Sequence, residues 1–242
     1  MPWHRQVTPR WRWRRARTSA WGAVLDGQAI MLAALSRQKS GGVRVMLYEQ
    51  GHAPQDLLQS AERDHWLVQS LQAQGAHWPT HARVMVLALD GQRCREGHFD
   101  WSQPPEPRRL QAEVMLEAAM AWGVGPDAVA FDFRVEPPGP DGLAAPAQVH
   151  WAACLLQERQ QWQAHARRAG WRLPAVEPVL QAAQRAATHL RRETMGHAAS
   201  ARDWQFDPAP QRSPSDVDMQ RWRDSPLWRP LAACGAALGA LL

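Results

Sequence analysis

The sequence predicts an α/β fold. Three observations carry that prediction: short apolar runs of strand length broken by Asp-Gly and Gly-Gly turns, a strictly alternating segment near the middle, and longer segments whose apolar residues recur at helical spacing. Residues 20–25 and 29–35 are apolar runs around Asp26-Gly27. That dipeptide suits a type I′ hairpin, in which both central residues need positive φ. Lys39-Ser40-Gly41-Gly42 then turns the chain into a third strand over 43–49, so three meandering strands open the fold.

A helix is expected within 57–75, with Leu57, Leu58, Ala61, Leu67 and Leu71 on one face and Gly75 at its C-cap. Residues 83–89 form a continuous apolar strand, turned by Asp90-Gly91 into a weaker strand near 94–101. Pro104, Pro105 and Pro107 introduce a helix over about 108–122, proline being tolerated where a helix starts. Residues 129–135 alternate as a half-buried strand, and the Pro/Gly run 137–146 is a loop. A strand at 149–155, a helix at 157–169 closed by Gly170 and a short strand at 171–176 follow. The helix from 179 to about 191 carries Leu180, Ala183, Ala187 and Leu190 on one stripe. Residues 197–230 are irregular and rich in Pro, Ser, Asp and Arg, and 231–242 is a short apolar helix. That last stretch falls short of the about 20 residues a spanning helix needs, so it reads as a core helix with close-packing Gly and Ala rather than an anchor.

Composition narrows the function. The 242 residues are 45% hydrophobic, which excludes a wholly disordered chain, and no run of about 18 apolar residues is present to span a membrane. Cys94, Cys154 and Cys234 have neither zinc-knuckle nor disulfide-framework spacing, which fits a reducing, cytoplasmic location. The net charge of +5 is concentrated: Arg5, Arg10, Arg12, Arg14, Arg15 and Arg17 precede the first acid, Asp26. Without those six, 22 basic residues face 23 acidic ones, a formal charge of −1 for everything else.

Residues 1–17 are therefore a basic arm, expected to be disordered, in which Trp3, Trp11 and Trp13 alternate with arginine. Three readings stand. Arg10, Trp11, Arg12, Trp13, Arg14 and Arg15 suit anionic lipid headgroups. The same residues suit nucleic-acid phosphates and bases, the less favoured reading. The third is a disordered, weakly functional extension, one form of which is an upstream start codon with the real start nearer Thr18.

Other chemistry is weaker. His77 and His81 are four apart, but Pro79 between them spoils a helical metal site. Cys94 and His98 lie on or beside a weak strand and make a poor nucleophile pair. Glu113 and Glu117 share a helix face that solvation explains better than acid–base work. Gly22, Gly27, Gly41 and Gly42 form no phosphate or dinucleotide fingerprint. Trp122, Trp151, Trp162 and Trp171 fall in predicted elements as core or groove aromatics. No catalytic residue, metal site or cofactor emerges.

Four stretches carry a family resemblance. The opening hairpin, 22–36, matches in length and apolar pattern a phosphate-loop segment of the type G-I-D-I-G-x-x-x-V-K-L-V-E-L-S. EVMLEAAMAWGVGPDAVAFDFRV (113–135) resembles a helix, a P-x-x-x-V-x-x-D-F link and a following strand. HWAACLLQERQQWQAHARRAGWRLPAVEP (150–178) resembles an A-A…helix…A-G-L…V-x-x-x-x-P run, and LAACGAALGALL (231–242) resembles a closing A-C-G-L-A-L helix. In order and spacing these resemble the PilM family of type IV pilus assembly proteins, relatives of FtsA, over most of 20–192 plus the last dozen residues.

The resemblance implies a partial actin-like (ribonuclease-H-like) core with an inserted small α/β subdomain. The core would comprise 18–82 and 178–242, with 193–230 irregular, and the insertion 83–177. The second actin-like subdomain is missing, because the roughly 35 residues of 197–230 stand where well over a hundred would be expected. In nucleotide-binding members the first phosphate segment carries an Asp and a Lys. Here Val24 and Met31 take those places, and Asp26 stands where the second Gly would be, so ATP binding and hydrolysis are expected to be lost. What remains is a non-catalytic adaptor on the cytoplasmic side of the inner membrane. It would hold the cytoplasmic N-terminal peptide of a bitopic, PilN-like partner, with an anionic membrane surface as a further contact. Two alternatives are a type II secretion platform component, disfavoured by the lack of a spanning segment after Leu242, and a nucleic-acid-binding competence protein.

Overall fold

In the computed structural model the residues described are 19–26, 29–37, 43–52, 60–76, 78, 80, 83–101, 106–136, 146–196 and 228–241. Strands β1 (Ser19–Asp26), β2 (Ala29–Arg37) and β3 (Val43–His52) form the antiparallel meander, with Asp26 paired to Ala29 at the hairpin end. Helix α1 (Ser60–Gly75) connects β3 to β4 (Val84–Leu89), which lies parallel to β1 from Trp21 and Met85 to Leu25 and Leu89. Strand β8 (Arg172–Pro178) extends the sheet in parallel beyond β4, giving the order β3-β2-β1-β4-β8.

Helices α4 (Val179–Gly196) and α5 (Trp228–Leu241) cover one face of this sheet, and the packing explains their composition. Helix α5 lies on β1, β2 and β4, with eight successive buried residues from Leu231 to Leu238. A side chain on Gly22 of β1 would overlap the Ala233 carbonyl, and one on Gly235 would overlap the Ala182 carbonyl of α4. Small residues let both backbones approach where larger ones would hold them apart. The C-terminal end of α5 is held by Arg37, whose guanidinium donates to the Leu241 carbonyl at 3.0 Å. On the opposite face Trp21 sits edge-on between Trp78 and Trp171, each centroid 5.0 Å away. The Trp171 indole donates to the Leu71 carbonyl of α1 at 2.7 Å, so burial does not orphan its N–H.

A second sheet, antiparallel with the order β5-β7-β6, comprises β5 (Arg95–Trp101), β6 (Val129–Glu136) and β7 (Ala147–Leu155). Helix α2 (Pro107–Trp122) packs on one side of it through Leu110, Val114, Ala118 and Ala119. Gly123 ends the helix with φ +66, donating to Met120, while Val124 donates to Ala119. That is a Schellman stop, and glycine enters the left-handed region without the Cβ penalty. Two Arg–Trp stacks join α2 and β5: Arg95 lies 4.6 Å over Trp122, and Arg109 lies 5.9 Å over Trp101. Helix α3 (Leu156–Arg168) follows β7.

The expected segment boundaries need correction. The chain divides into two compact units, and the described part of one is Gln92–Arg159, narrower than 83–177. Strands β4 and β8 belong instead to the five-stranded sheet of the other unit, Ala16–Gly91 and Gln160–Leu242. The side chains of β4 are all buried there, while β8 is half-buried along most of its length. Helix α4 runs on to Gly196, so the irregular stretch begins later than 193. It packs chiefly on α5 and also on β4 and β8. Residues 1–17, most of the 137–146 loop and 197–227 lie outside the described residues.

Candidate functional site

The row of side chains crossing the five-stranded sheet at Val24 is where the resemblance expects phosphate chemistry. Val24 pairs with Met31 on β2 and with Ala88 on β4, and Ala88 pairs with Glu177 on β8. Val24 and Met31 are 0% and 2% exposed and pack in one apolar cluster with Ala33, Val86, Ala88 and residues of α4 and α5. Two facing aliphatic side chains in a dry core offer neither a carboxylate for a divalent cation nor a cation for phosphate. These two positions do not fit a nucleotide phosphate or its metal. Asp26 closes the hairpin beyond them, and its side chain lies outside the described ones.

The charged member of that row is engaged internally. The two carboxylate oxygens of Glu177 accept from the Arg185 guanidinium at 2.8 and 2.6 Å, and Arg185 also donates to the Gly235 carbonyl at 2.8 Å. Burial pushes the Glu177 carboxyl above the ordinary carboxylate range, and the Arg185 fork opposes that push. Burial likewise works against charge on Arg185, but its hydrogen bonds to Glu177 and the attraction of that carboxylate together more than offset this and raise its pKa. One guanidinium thus joins β8, α4 and α5, and Gly239 leaves it room, since a side chain there would meet the fork. This pair was not anticipated from sequence. The available signal was an acid ending an otherwise apolar strand, with an arginine eight residues on among buried alanines.

The smaller unit presents a contrasting surface. One side of its sheet faces α2; the other carries Glu96, His98, Asp100, Asp132, Arg134, Glu136 and His150. His98 lies across from His150 at 5.8 Å between ring centroids, and Glu136 lies 3.2 Å from Arg134 and 3.4 Å from His150. Cys94 is buried and His98 exposed four residues along, about 13 Å at strand rise, so they form no nucleophile pair. Glu113 is exposed and Glu117 half-buried on α2, beside exposed Leu116 and Met120. Trp151, Trp162 and Trp171 are buried and Trp122 half-buried, its indole donating to the Ala153 carbonyl at 3.3 Å. Among the described residues no group of three His, Cys, Asp or Glu side chains is placed to hold a metal ion. His77, Pro79, His81 and the arm residues Arg10, Trp11, Arg12, Trp13, Arg14 and Arg15 lie outside the described residues.

The strand order, the crossover helix α1 and the helices closing one face define a partial actin-like core. No family model and no curated protein matches the sequence. Among solved structures, the "PilM-PilN type IV pilus biogenesis complex" is similar in fold, with a TM-score of 0.58 and 20% identity. The match covers 74% of this chain and 53% of the other, so this chain spans about half the length of the PilM chain it resembles. Two further similarities are too distant to bear on function. One is to the cytoplasmic domain of EpsL, an inner membrane component of the type II secretion system of Vibrio cholerae: TM-score 0.43, 15% identity, covering 68% of this chain and 58% of that one. The other is to T. thermophilus RuvC in complex with Holliday junction substrate: TM-score 0.40, 11% identity, covering 92% and 93%. Among the described residues no helix is long and apolar enough to cross a membrane.

Proposed function

We propose that this chain is a nucleotide-independent, PilM-like adaptor of a type IV pilus or competence-type assembly platform. It acts at the cytoplasmic side of the inner membrane and binds the cytoplasmic N-terminal peptide of a bitopic, PilN-like partner. The observation that carries the reading is the actin-like strand order with an apolar Val24–Met31 pair at the first phosphate segment. The fold of a pilus assembly protein is retained, while the positions that would handle phosphate and its cation have become core. An adaptor of this kind needs an apolar docking surface and accessible backbone, not catalytic groups.

The test is calorimetric titration of the full chain with the cytoplasmic N-terminal peptide of a bitopic, PilN-like protein from the same source, and separately with Mg-ATP. The expected result is saturable peptide binding and no heat from Mg-ATP. Absence of peptide binding would overturn the adaptor reading, and a micromolar Kd for Mg-ATP would overturn nucleotide independence.

The arm adds a second, separable contact. Removing residues 1–17 takes away six arginines from a chain whose remainder carries a formal charge of −1. Each basic residue near an acidic lipid surface contributes about 1 kcal/mol, and salt screens it. Co-sedimentation with anionic vesicles should therefore fall on truncation and on adding salt, while peptide affinity holds. Unchanged co-sedimentation would remove the lipid reading, and retained DNA affinity in residues 18–242 would favour the nucleic-acid one.

A further inference from the structure

Strand β5 pairs with β7 in one unbroken register from Trp101 and Ala147 to Arg95 and Ala153. Cys94 is the bend residue just before Arg95 and Cys154 follows Ala153 in β7, so continuing the register by one step sets the two cysteines opposite each other. Residues directly opposite in antiparallel strands have Cα atoms about 4.5 or 5.5 Å apart and side chains on the same face. Both spacings fall within the about 4.4–6.8 Å that a disulfide spans. The two residues are 4% and 5% exposed, and neither is joined in a disulfide. The third cysteine, Cys234, lies in α5 within the other unit.

We propose that Cys94 and Cys154 are a cross-strand thiol pair that closes to a disulfide when a hydroperoxide reaches it. Their place in the chain gives the bond a consequence. Strand β5 is the first strand after the unit begins at Gln92, and β7 is the last before it ends at Arg159. A bond between them ties the incoming and outgoing strands of the small unit together, closing it as a covalent loop. Chain cross-linking of this kind removes conformational freedom from the opened state and so favours the closed one.

The chemistry balances with one peroxide. The first sulfur attacks a peroxide oxygen, the O–O bond breaks, and the sulfenic acid forms as the thiol proton leaves in water. The second sulfur attacks that sulfenic sulfur, the S–S bond forms, and the S–O bond breaks to release a second water. Two thiols are oxidised and one peroxide is reduced. Burial pushes the Cys154 thiol up to about 11, with Arg159 pulling the other way, so thiolate is scarce at neutral pH. Closure is accordingly slow and gated by local opening of the strand ends. The inference stands apart from the adaptor reading and would survive its failure.

The test uses the full chain treated with hydrogen peroxide, quenched by alkylation, digested without reduction and mapped by mass spectrometry. The expected product is a peptide pair joined through Cys94 and Cys154, two hydrogens lighter than its parts. It should vanish in Cys94→Ser and in Cys154→Ser and persist in Cys234→Ser, with circular dichroism verifying that each variant is folded. Should either single variant fail to fold, mapping of the unaltered chain and Cys234→Ser decides alone. Cross-links through Cys234, or sulfinic and sulfonic acids without a cross-link, would overturn the proposal. The oxidised chain should also resist cleavage within 92–159 by roughly five-fold or more, and an unchanged rate would overturn the staple.

Discussion

The two sheets of this protein solve burial differently. Strand β4 of the five-stranded sheet is buried at all six positions, whereas β5 of the three-stranded sheet alternates between exposed and half-buried. A parallel strand covered on both faces must be apolar throughout, while a strand covered on one face needs only every second residue apolar. The number of layers is thus written in the periodicity. The consequence for function is spatial: the large sheet is closed by Ala-rich helices on one face and a tryptophan cluster on the other. Among the described side chains, a sheet face lined with exposed charged groups is found on the small one.

The sharpest way to break this comparison is to change a carboxylate in each sheet, adding one at Val24 and removing the one at Asp132. Val24→Asp puts a carboxylate among apolar neighbours with no cation at hand, so it should cost about 3–5 kcal/mol or prevent folding. Asp132→Ala, on the exposed side of the small sheet, should stay within about 0.5 kcal/mol. Urea unfolding of both variants checks this, and a tolerated Val24→Asp would mean the phosphate segment is more open than its packing shows.

Periodicity also marks what the sequence conceals. The meander was legible because Asp26-Gly27 lies between two apolar runs, and the hairpin forms. Asp26, however, pairs with Ala29 as the last residue of β1 and has no positive φ. It is a strand residue and not one of the two central turn residues that the dipeptide suggests. Strands β4 and β8 were legible as strands but not as members of the meander's sheet. A parallel neighbour is chosen by long-range packing and leaves no local mark, so the sequence alone groups β4 and β8 with 83–177 although they belong to the five-stranded sheet. Val24 and Met31 could be read as a lost phosphate pair only through the family resemblance. Their place in the core follows from the register and from α5, which returns from over two hundred residues away. Glu177 and Arg185 are eight residues apart on different elements, and only the turn from β8 into α4 brings them together.

A second test compares close approaches in the two units. A Cβ on Gly235 would overlap the Ala182 backbone, whereas one on Gly97 would meet the Trp151 side chain. Backbone in two packed helices yields less easily than an indole, so Gly235→Ala should cost about 2–3 kcal/mol and Gly97→Ala less. Thermal unfolding that ranks them the other way would mean that α4 and α5 slide apart readily, against the sealed character of the larger unit.

The smallest expected effect concerns the charge inside that sealed unit. Arg185→Ala removes the fork and leaves Glu177 buried without its partner, which should cost about 2 kcal/mol because Arg185 retains 29% side-chain exposure and water can partly compensate. Replacing both residues, Glu177→Met with Arg185→Leu, should recover most of that loss, since aliphatic groups of similar volume leave no unpaired charge. The Gly235 carbonyl would still lose one donor, so recovery should stop short of the parent by about 1 kcal/mol. Denaturant midpoints for the single and double variants separate the two meanings of the pair. Recovery means that charge in this core is a matched cost, and the unit remains a closed apolar body. A double variant as weak as Arg185→Ala would instead show that the guanidinium itself, spanning β8, α4 and α5, is what fixes the closing helix.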